Sequence, residues 1–288
     1  PMILKKIFYK LPFNFQSYVA RLSSYVNNGV IDDFINFPYG KEYGLSPNDR
    51  KGILKRLKAS LASVDSATSL EAQITLFKQV LKIKKKIKNK FIVECGCYKG
   101  SSTIALSIAA KIIGAKLIVY DSFQGLPRSE KKLGKRLYPH LNLYGYYRAG
   151  MYIGSLKEVK KNIYSFGELD VCIFREGLFS KSLKKHKESI QLCFIDVDLS
   201  SSTEDCIKYL WKKLDDNSYF YSDDACDLKV VSIWFDNIWW KNNLKEKAPG
   251  YVGSGCGLPI NGNYSGLGYA LKKKKLNSHN KLHWLYNK

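Results

Sequence analysis

The spacing of apolar residues changes character near residue 90. Before that point hydrophobic positions recur at helical intervals. In MILKKIFYKLPF, Ile3, Leu4, Ile7, Phe8 and Leu11 share one face, Lys5, Lys6 and Lys10 lie elsewhere, and Pro12 ends the pattern. Residues 13–68 mix helical patterns with polar turns such as PYG and SPND, which reads as a helical cap without chemistry of its own. The stretch Leu70 to Lys90 continues as a helix with Leu76, Phe77, Val80, Leu81 and Ile87 on its apolar side, running into KIKKKIKNK. Beyond residue 90 short apolar runs alternate with amphipathic segments: FIVECG, SSTIALSIAAKII, KLIVYDS, LDVCIFREG, QLCFIDVD, STEDCIKYLWKKL and SYFYSDDA. That alternation predicts a parallel sheet covered by helices on both faces, an α/β core over 91–288 behind a helical cap over 1–90.

In an open parallel sheet the ligand site lies beyond the carboxyl ends of the strands, and the polar motifs of this chain fall there. FIVECGCYKGSS carries Glu94 and Gly96 at the end of one run, then Gly100 and Ser101 where a helix begins. Glycines allow close backbone approach to a ligand, and a helix start offers free N–H groups to an anion. The pattern is not the dinucleotide fingerprint, because Glu94 occupies its first glycine position. KLIVYD ends at Asp121, where an acid either takes a ribose diol or caps the following turn. Together with Glu94 and Gly96 it points to a nucleoside-containing cofactor.

Four more acids close the next two strands: Asp196 and Asp198 in FIDVD, Asp223 and Asp224 in YSDDA. If those strands are neighbours, the carboxylates converge, and their repulsion calls for a divalent cation. An all-oxygen donor set with no nearby His or Cys suits magnesium, with manganese and calcium as alternatives, better than zinc.

Composition adds two constraints. The 288 residues carry 47 Lys and Arg against 25 Asp and Glu, a formal charge of +22. That excess suits either an anionic partner or a solvated lysine-rich surface. The seven cysteines are odd in number and form no C-x-x-C pair, which argues against a disulfide framework or a zinc ribbon and fits a reducing cytoplasm. No apolar run reaches the length of a membrane-spanning helix, and the first residues lack the form of a signal peptide.

In order along the chain, VECGCYKGSS, YDSFQGLP, GSLKEVKKNI, FREGLFSKSL, FIDVDLSSSTEDCIKYL and YFYSDDA resemble the macrocin O-methyltransferase family over about residues 91–240, with GLGYALKK resembling its closing strand. The resemblance implies a Rossmann-like class I methyltransferase fold: a seven-stranded, mainly parallel sheet with an antiparallel last strand. It implies S-adenosylmethionine as cofactor and a sugar hydroxyl as acceptor. Glu94, Gly96, Gly100 and Ser101 would border the methionine part, Asp121 and Ser122 the ribose, and Glu176, Gly177, Leu178 and Phe179 the adenine. Asp196, Asp223 and Asp224 would bind magnesium. Asp198, on the same side of the strand as Asp196, is then the expected base, with Asp196 as the alternative.

The chain departs from the family at Ser200 and Ala225, where relatives usually carry a tyrosine and a bulky residue. A lid is expected at about 128–153, basic at Arg128, Lys131, Lys132, Lys135 and Arg136 and aromatic at Tyr138, Tyr144, Tyr146 and Tyr147. A role for those groups would make the acceptor glycan or metabolite acidic or phosphorylated. A non-catalytic cofactor-binding protein remains the alternative. A nucleic-acid partner is not expected, because no N-P-P-Y or D-P-P-Y motif is present and the site's carboxylates repel phosphate. Peripheral membrane contact by the basic N-terminus and a homodimer through the cap stay open. The four histidines show no metal spacing, and His279 and His283 read as surface residues. Reversing several lid charges is expected to raise the acceptor KM while leaving cofactor affinity unchanged in a calorimetric titration; an unchanged KM removes the lid's role.

Overall fold

The computed structural model describes residues 29–127, 135–138, 143–225, 227–253 and 266–273, with backbone only for 135–138 and 143–146. The expected helix at 3–11, lid residues 128–134 and 139–142 (with Arg128, Lys131, Lys132 and His140), and His279 and His283 lie outside the described residues.

Three helices form the cap. α1 (Gly29–Asn36) leads into α2 (Pro47–Ser63), which starts at a capping box in which Ser46 and Asp49 satisfy each other's backbone N–H groups. α3 (Leu70–Leu81) is capped by the Ser69 hydroxyl, which accepts from Ala72 N–H. The sequence pattern ran this helix on to Lys90, but it stops at Leu81. Residues 82–89 are crowded with like-charged lysines, which oppose one another at helical spacing. There the chain breaks into tight turns closed by Ile83 N–H to Val80 O and Ile87 N–H to Lys84 O before entering the sheet. Phe34 and Phe77 meet edge to face, 5.6 Å apart, and lie in one continuous apolar core with residues 104–113 and the sheet.

The main sheet contains β1 (Lys90–Cys95), β2 (Ala115–Asp121), β5 (Cys172–Glu176), β6 (Ile190–Ile195), β7 (Leu214–Ser222) and β8 (Gly268–Leu271). Their order is β5-β2-β1-β6-β7-β8; the first five are parallel and β8 runs antiparallel to β7. Side chains alternate between two cores, as a sheet covered on both faces requires. Ile92, Leu117, Val119, Leu192 and Phe194 pack with the cap and with α4 (Ser101–Ile113) and α5 (Leu156–Phe166). Val93, Ile118, Cys193 and Ile195 face α7 (Ser200–Leu210), α8 (Leu228–Ile233) and α9 (Asn237–Leu244), where Trp211, Trp234 and Trp240 fill the second core. The four-residue α6 (Phe179–Ser182) follows β5, and β3 (Lys135–Tyr138) and β4 (Leu143–Tyr146) form a separate two-stranded antiparallel sheet within the segment expected to be a lid.

Six strands, not the seven expected, make the main sheet among the described residues. The seventh position, on the free edge of β8, holds a single antiparallel bridge between Val252 and Tyr269. Gly250 and Gly253 flank Val252 at φ 76° and 100°, outside the extended region, so the segment meets the sheet at one point. No described helix is long and apolar enough to cross a membrane.

Arg56 of α2 fastens the cap to the core. Its guanidinium donates to the carbonyls of Phe166 and Gly167, both at 2.6 Å, and pairs with Glu168 at 2.8 Å, satisfying the open carbonyl end of α5. Arg56→Ala is expected to destabilise the protein by about 1–3 kcal/mol, read from the shift in denaturant midpoint, because charge-assisted hydrogen bonds are lost at a half-exposed site.

Candidate functional site

β1 and β6 come together at their carboxyl ends with no space for a side chain between them. Gly96 has φ 81°, and a Cβ built there would stand 1.9 Å from the Asp196 carbonyl oxygen. Its N–H donates to Tyr120 O at 2.9 Å, so the turn after β1 is tied to β2 as well. The chain then passes Tyr98 and Gly100, both at positive φ, into α4.

Asp121 at the end of β2 is gripped by both flanking loops. Cys97 N–H donates to one carboxylate oxygen and Phe123 N–H to the other, each at 2.7 Å. Burial nevertheless raises its pKa above the ordinary range, against the pull of those donors. Behind it, Tyr120 joins a polar network in the second core. Its hydroxyl lies 2.9 Å from His186 Nδ1 and accepts from Arg175 at 2.7 Å, while Arg175 pairs with Glu188. His186 Nε2 donates to Glu188 O, which makes Nδ1 the acceptor from Tyr120. The Arg175 guanidinium holds Glu188 down to about 2, and burial lowers the pKa of His186.

A pocket opens above these strand ends. Gly96, Ser101, Asp121 and Ser122 line it, as do Gly177, Leu178 and Phe179 after β5, together with Asp196 and Asp198. Glu94, Gly100, Glu176, Asp223 and Asp224 of the sequence-derived set are not on its wall. Glu94 is completely buried beneath it and accepts a 2.6 Å hydrogen bond from Ser102, which does reach the wall. Burial first, opposed by the hydroxyls of Ser102 and Thr103, moves its pKa up to about 7. Ser200 opens α7 outside the pocket wall, and Ala225 is fully buried.

Sequence reasoning missed one side of this pocket. The cap, read as having no chemistry, contributes Asp65, Ser66, Ala67 and Thr68 from the loop between α2 and α3. Gln73 of α3 donates to Ser101 Oγ at 2.9 Å, linking that loop's helix to the start of α4. Tyr98 and Tyr152, packed edge to face 5.7 Å apart, also line it, as do Ser201, Ser202 and Asp205 of α7. The only sequence hint was the polar run DSATS, which reads equally well as the cap of α3.

The acids converge as expected, with a different membership. Carboxylate oxygens of Asp196, Asp198 and Asp224 lie within 4.8 Å of one another. Asp198 has φ 59°, and its N–H donates to Asp224 Oδ2 at 3.0 Å. The expected ligand set was Asp196, Asp223 and Asp224; the geometric cluster among the described residues has Asp198 in place of Asp223. Asp223 N–H continues the β6 ladder to Ile195 O, and its backbone packs against Gly266. Three hard oxygen donors at this separation fit a magnesium- or calcium-type ion, whose charge would offset their repulsion.

Glu94 provides a test of the buried floor. Its folded-state value of about 7 exceeds the ordinary 4.5, so the folded protein binds this proton more tightly, and stability falls as pH rises from 4.5 through 7. Glu94→Gln has no proton to lose. Its Tm, measured without added ligand, is expected to fall less across that window than the wild-type Tm, and parallel declines overturn the account.

Comparison with known proteins places this geometry. The Macrocin-O-methyltransferase (TylF) family model matches residues 74–248, more than half of the chain. Among solved structures, the O-methyltransferase NovP is similar at 18% identity and a TM-score of 0.59, covering 78% of this chain and 98% of its own. The calicheamicin methyltransferase CalS11 is similar at 14% identity and a TM-score of 0.46, covering 77% and 92%. No curated protein matches by sequence. The sheet order, the pocket at the strand ends and the family match lead to one conclusion: this chain belongs to the macrocin O-methyltransferase family and is an enzyme that methylates hydroxyl groups.

Proposed function

We propose that the chain transfers a methyl group from S-adenosylmethionine to a hydroxyl of a sugar in a glycan or glycosylated metabolite, with a divalent cation, magnesium first, at the aspartate cluster. The observation that carries this reading is the meeting of Asp196, Asp198 and Asp224 within 4.8 Å beside the pocket that also holds Asp121. The sugar acceptor follows the family, and a cytoplasmic setting belongs to the same proposal.

The residues fit both groups. Asp121 is held rigidly by two backbone N–H groups with its remaining lone pairs available to a ribose diol. Ser122 stands beside it, and Gly177 to Phe179 offer a backbone turn and an aromatic ring for the adenine, with Glu176 just outside the wall. Gly96, Ser101 and the open start of α4 suit the methionine end, and Glu94 orders Ser102 from below. When bound, the sulfonium supplies an electrophilic methyl group and the cation supplies positive charge beside the acceptor oxygen.

The chain's own contribution is positioning and proton transfer. Asp196 and Asp224 are the ligands common to the sequence expectation and the geometric cluster; the third is Asp223 in the expectation and Asp198 in the cluster, and with Asp223 as ligand Asp198 serves as the base. Asp198, fixed by its N–H bond to Asp224, takes the acceptor proton on a carboxylate oxygen; Asp196 is the alternative base. An in-line approach of hydroxyl oxygen to methyl carbon then needs only that both partners be held, which the rigid strand ends do.

Deleting the gene and searching by mass spectrometry for a glycan or metabolite that has lost one methyl group identifies the acceptor. With it, EDTA treatment is expected to abolish transfer and magnesium to restore it; full activity in EDTA overturns the cation's role. Asp198→Asn is expected to lower kcat by roughly 10²–10⁴-fold and to keep magnesium affinity in a calorimetric titration, whereas Asp224→Asn loses that affinity. If Asp198→Asn binds magnesium as poorly as Asp224→Asn while Asp223→Asn binds normally, the ligand and base roles of Asp198 and Asp223 exchange.

A further inference from the structure

The topology sorts charge between the two ends of the sheet. Asp121, Asp196, Asp198, Asp223 and Asp224 all lie at the carboxyl end. The turns that enter the strands lie at the opposite end, and there the sequence places lysines. Before β1 come Lys84, Lys85, Lys86 and Lys88, all exposed. Before β6 come Lys185 and Lys187, and before β7 Lys212 and Lys213, again exposed. Because β1, β6 and β7 are adjacent in the sheet, these eight residues, separate in sequence, enter across three neighbouring strands, a band about 10 Å wide at the usual strand spacing. β2 and β8 extend it on either side with Lys116 and Lys273.

This excess is not consumed internally. None of the eight ammonium groups has an ion pair among the described residues. The acids of the same end are mostly engaged: Arg56 holds Glu168, Lys111 holds Asp170, and Arg175 holds Glu188. Asp215 and Asp216 near the start of β7, and Glu42, whose carboxylate accepts from Lys85 N–H at 2.9 Å, reduce the local excess without cancelling it.

We infer that the amino-end face of the sheet, centred on the turns 84–88, 185–187 and 212–213, is an adsorption surface for an anionic lipid membrane, and that the enzyme works there with its pocket turned to the water. The face carries lysines, hydrated point charges that suit a smeared surface potential, and no arginine fork for one particular phosphate. These three turns contain no exposed aromatic residue on which a base or sugar ring would stack, which disfavours single-stranded nucleic acid and glycan chains. The acids at the far end fix the orientation, since a negative surface attracts the lysine face and repels the pocket mouth. This goes beyond the methyl-transfer reading and does not depend on it.

The test is co-sedimentation of the full chain with vesicles of phosphatidylcholine alone or with about one-third phosphatidylglycerol, a composition that supplies the surface potential required. Binding is expected only to the anionic vesicles and is expected to be lost at high salt. A quadruple variant, Lys84→Glu, Lys86→Glu, Lys185→Glu and Lys212→Glu, should lower the partition coefficient at least tenfold. A control with Lys51→Glu, Lys55→Glu and Lys58→Glu on exposed positions of α2 should lower it far less. If the quadruple variant unfolds, Lys→Gln at the same four positions replaces it, with an expected loss of severalfold. Absence of binding to anionic vesicles, or equal loss in the face and control variants, overturns the inference. Tighter binding to heparin or single-stranded RNA than to the vesicles, lost in the same variants, assigns the face to a polymer and overturns the lipid assignment.

Discussion

The site depends on one close approach of backbone to backbone. Where β1 and β6 end, Gly96 lies so near the Asp196 carbonyl that a methyl group would overlap it. That contact fixes the turn after β1 directly against the turn after β6, and Gly96 N–H ties the same turn to β2. Three strand ends thereby become one rigid surface. Asp121 is clasped by N–H groups from the turns after β1 and β2, and Asp196 begins the acidic turn beside it. A side chain at position 96 would force the strands apart, separating the groups proposed to hold cofactor and acceptor.

Electrostatic cost is distributed unevenly around that surface. Asp121 is buried yet supported by two backbone donors, while Glu94, deeper and with only the hydroxyls of Ser102 and Thr103 opposing the shift, is pushed up by burial to about 7. The cluster of Asp196, Asp198 and Asp224 brings three carboxylates together without a basic residue on the same turns, the arrangement a hard cation relieves. The network of Tyr120, His186, Arg175 and Glu188 stiffens β2 from the opposite face. Catalytic geometry in this fold is therefore set by backbone contacts and by groups below the pocket as much as by the residues that line it.

The cap and the lysine-rich edge show how a sheet of this topology divides labour. Helices α1 to α3 share a core with the sheet, and the loop between α2 and α3 becomes a pocket wall. At the other end the strand-entering turns carry the basic excess, so a charge that looks diffuse in the sequence becomes directional in the folded protein.

The sequence by itself determined the alternation of strands and helices, the antiparallel closing strand, the family and the position of each acidic motif at a strand end. These follow from local periodicity and from motifs such as DSFQGLP and IDVDL. It read α3 too long, because an apolar face does not register lysine repulsion beyond Leu81. The family resemblance implied a seven-stranded sheet, whereas the described residues hold six strands and the Val252 bridge. Tertiary structure alone decided which carboxylates meet, since the turn of Asp198 at φ 59° carries it toward Asp224 and no spacing rule encodes that rotation. It also decided that Glu94 lies beneath the pocket and that Asp65 to Thr68 line it, because burial and the docking of distant segments depend on contacts between residues far apart in the chain.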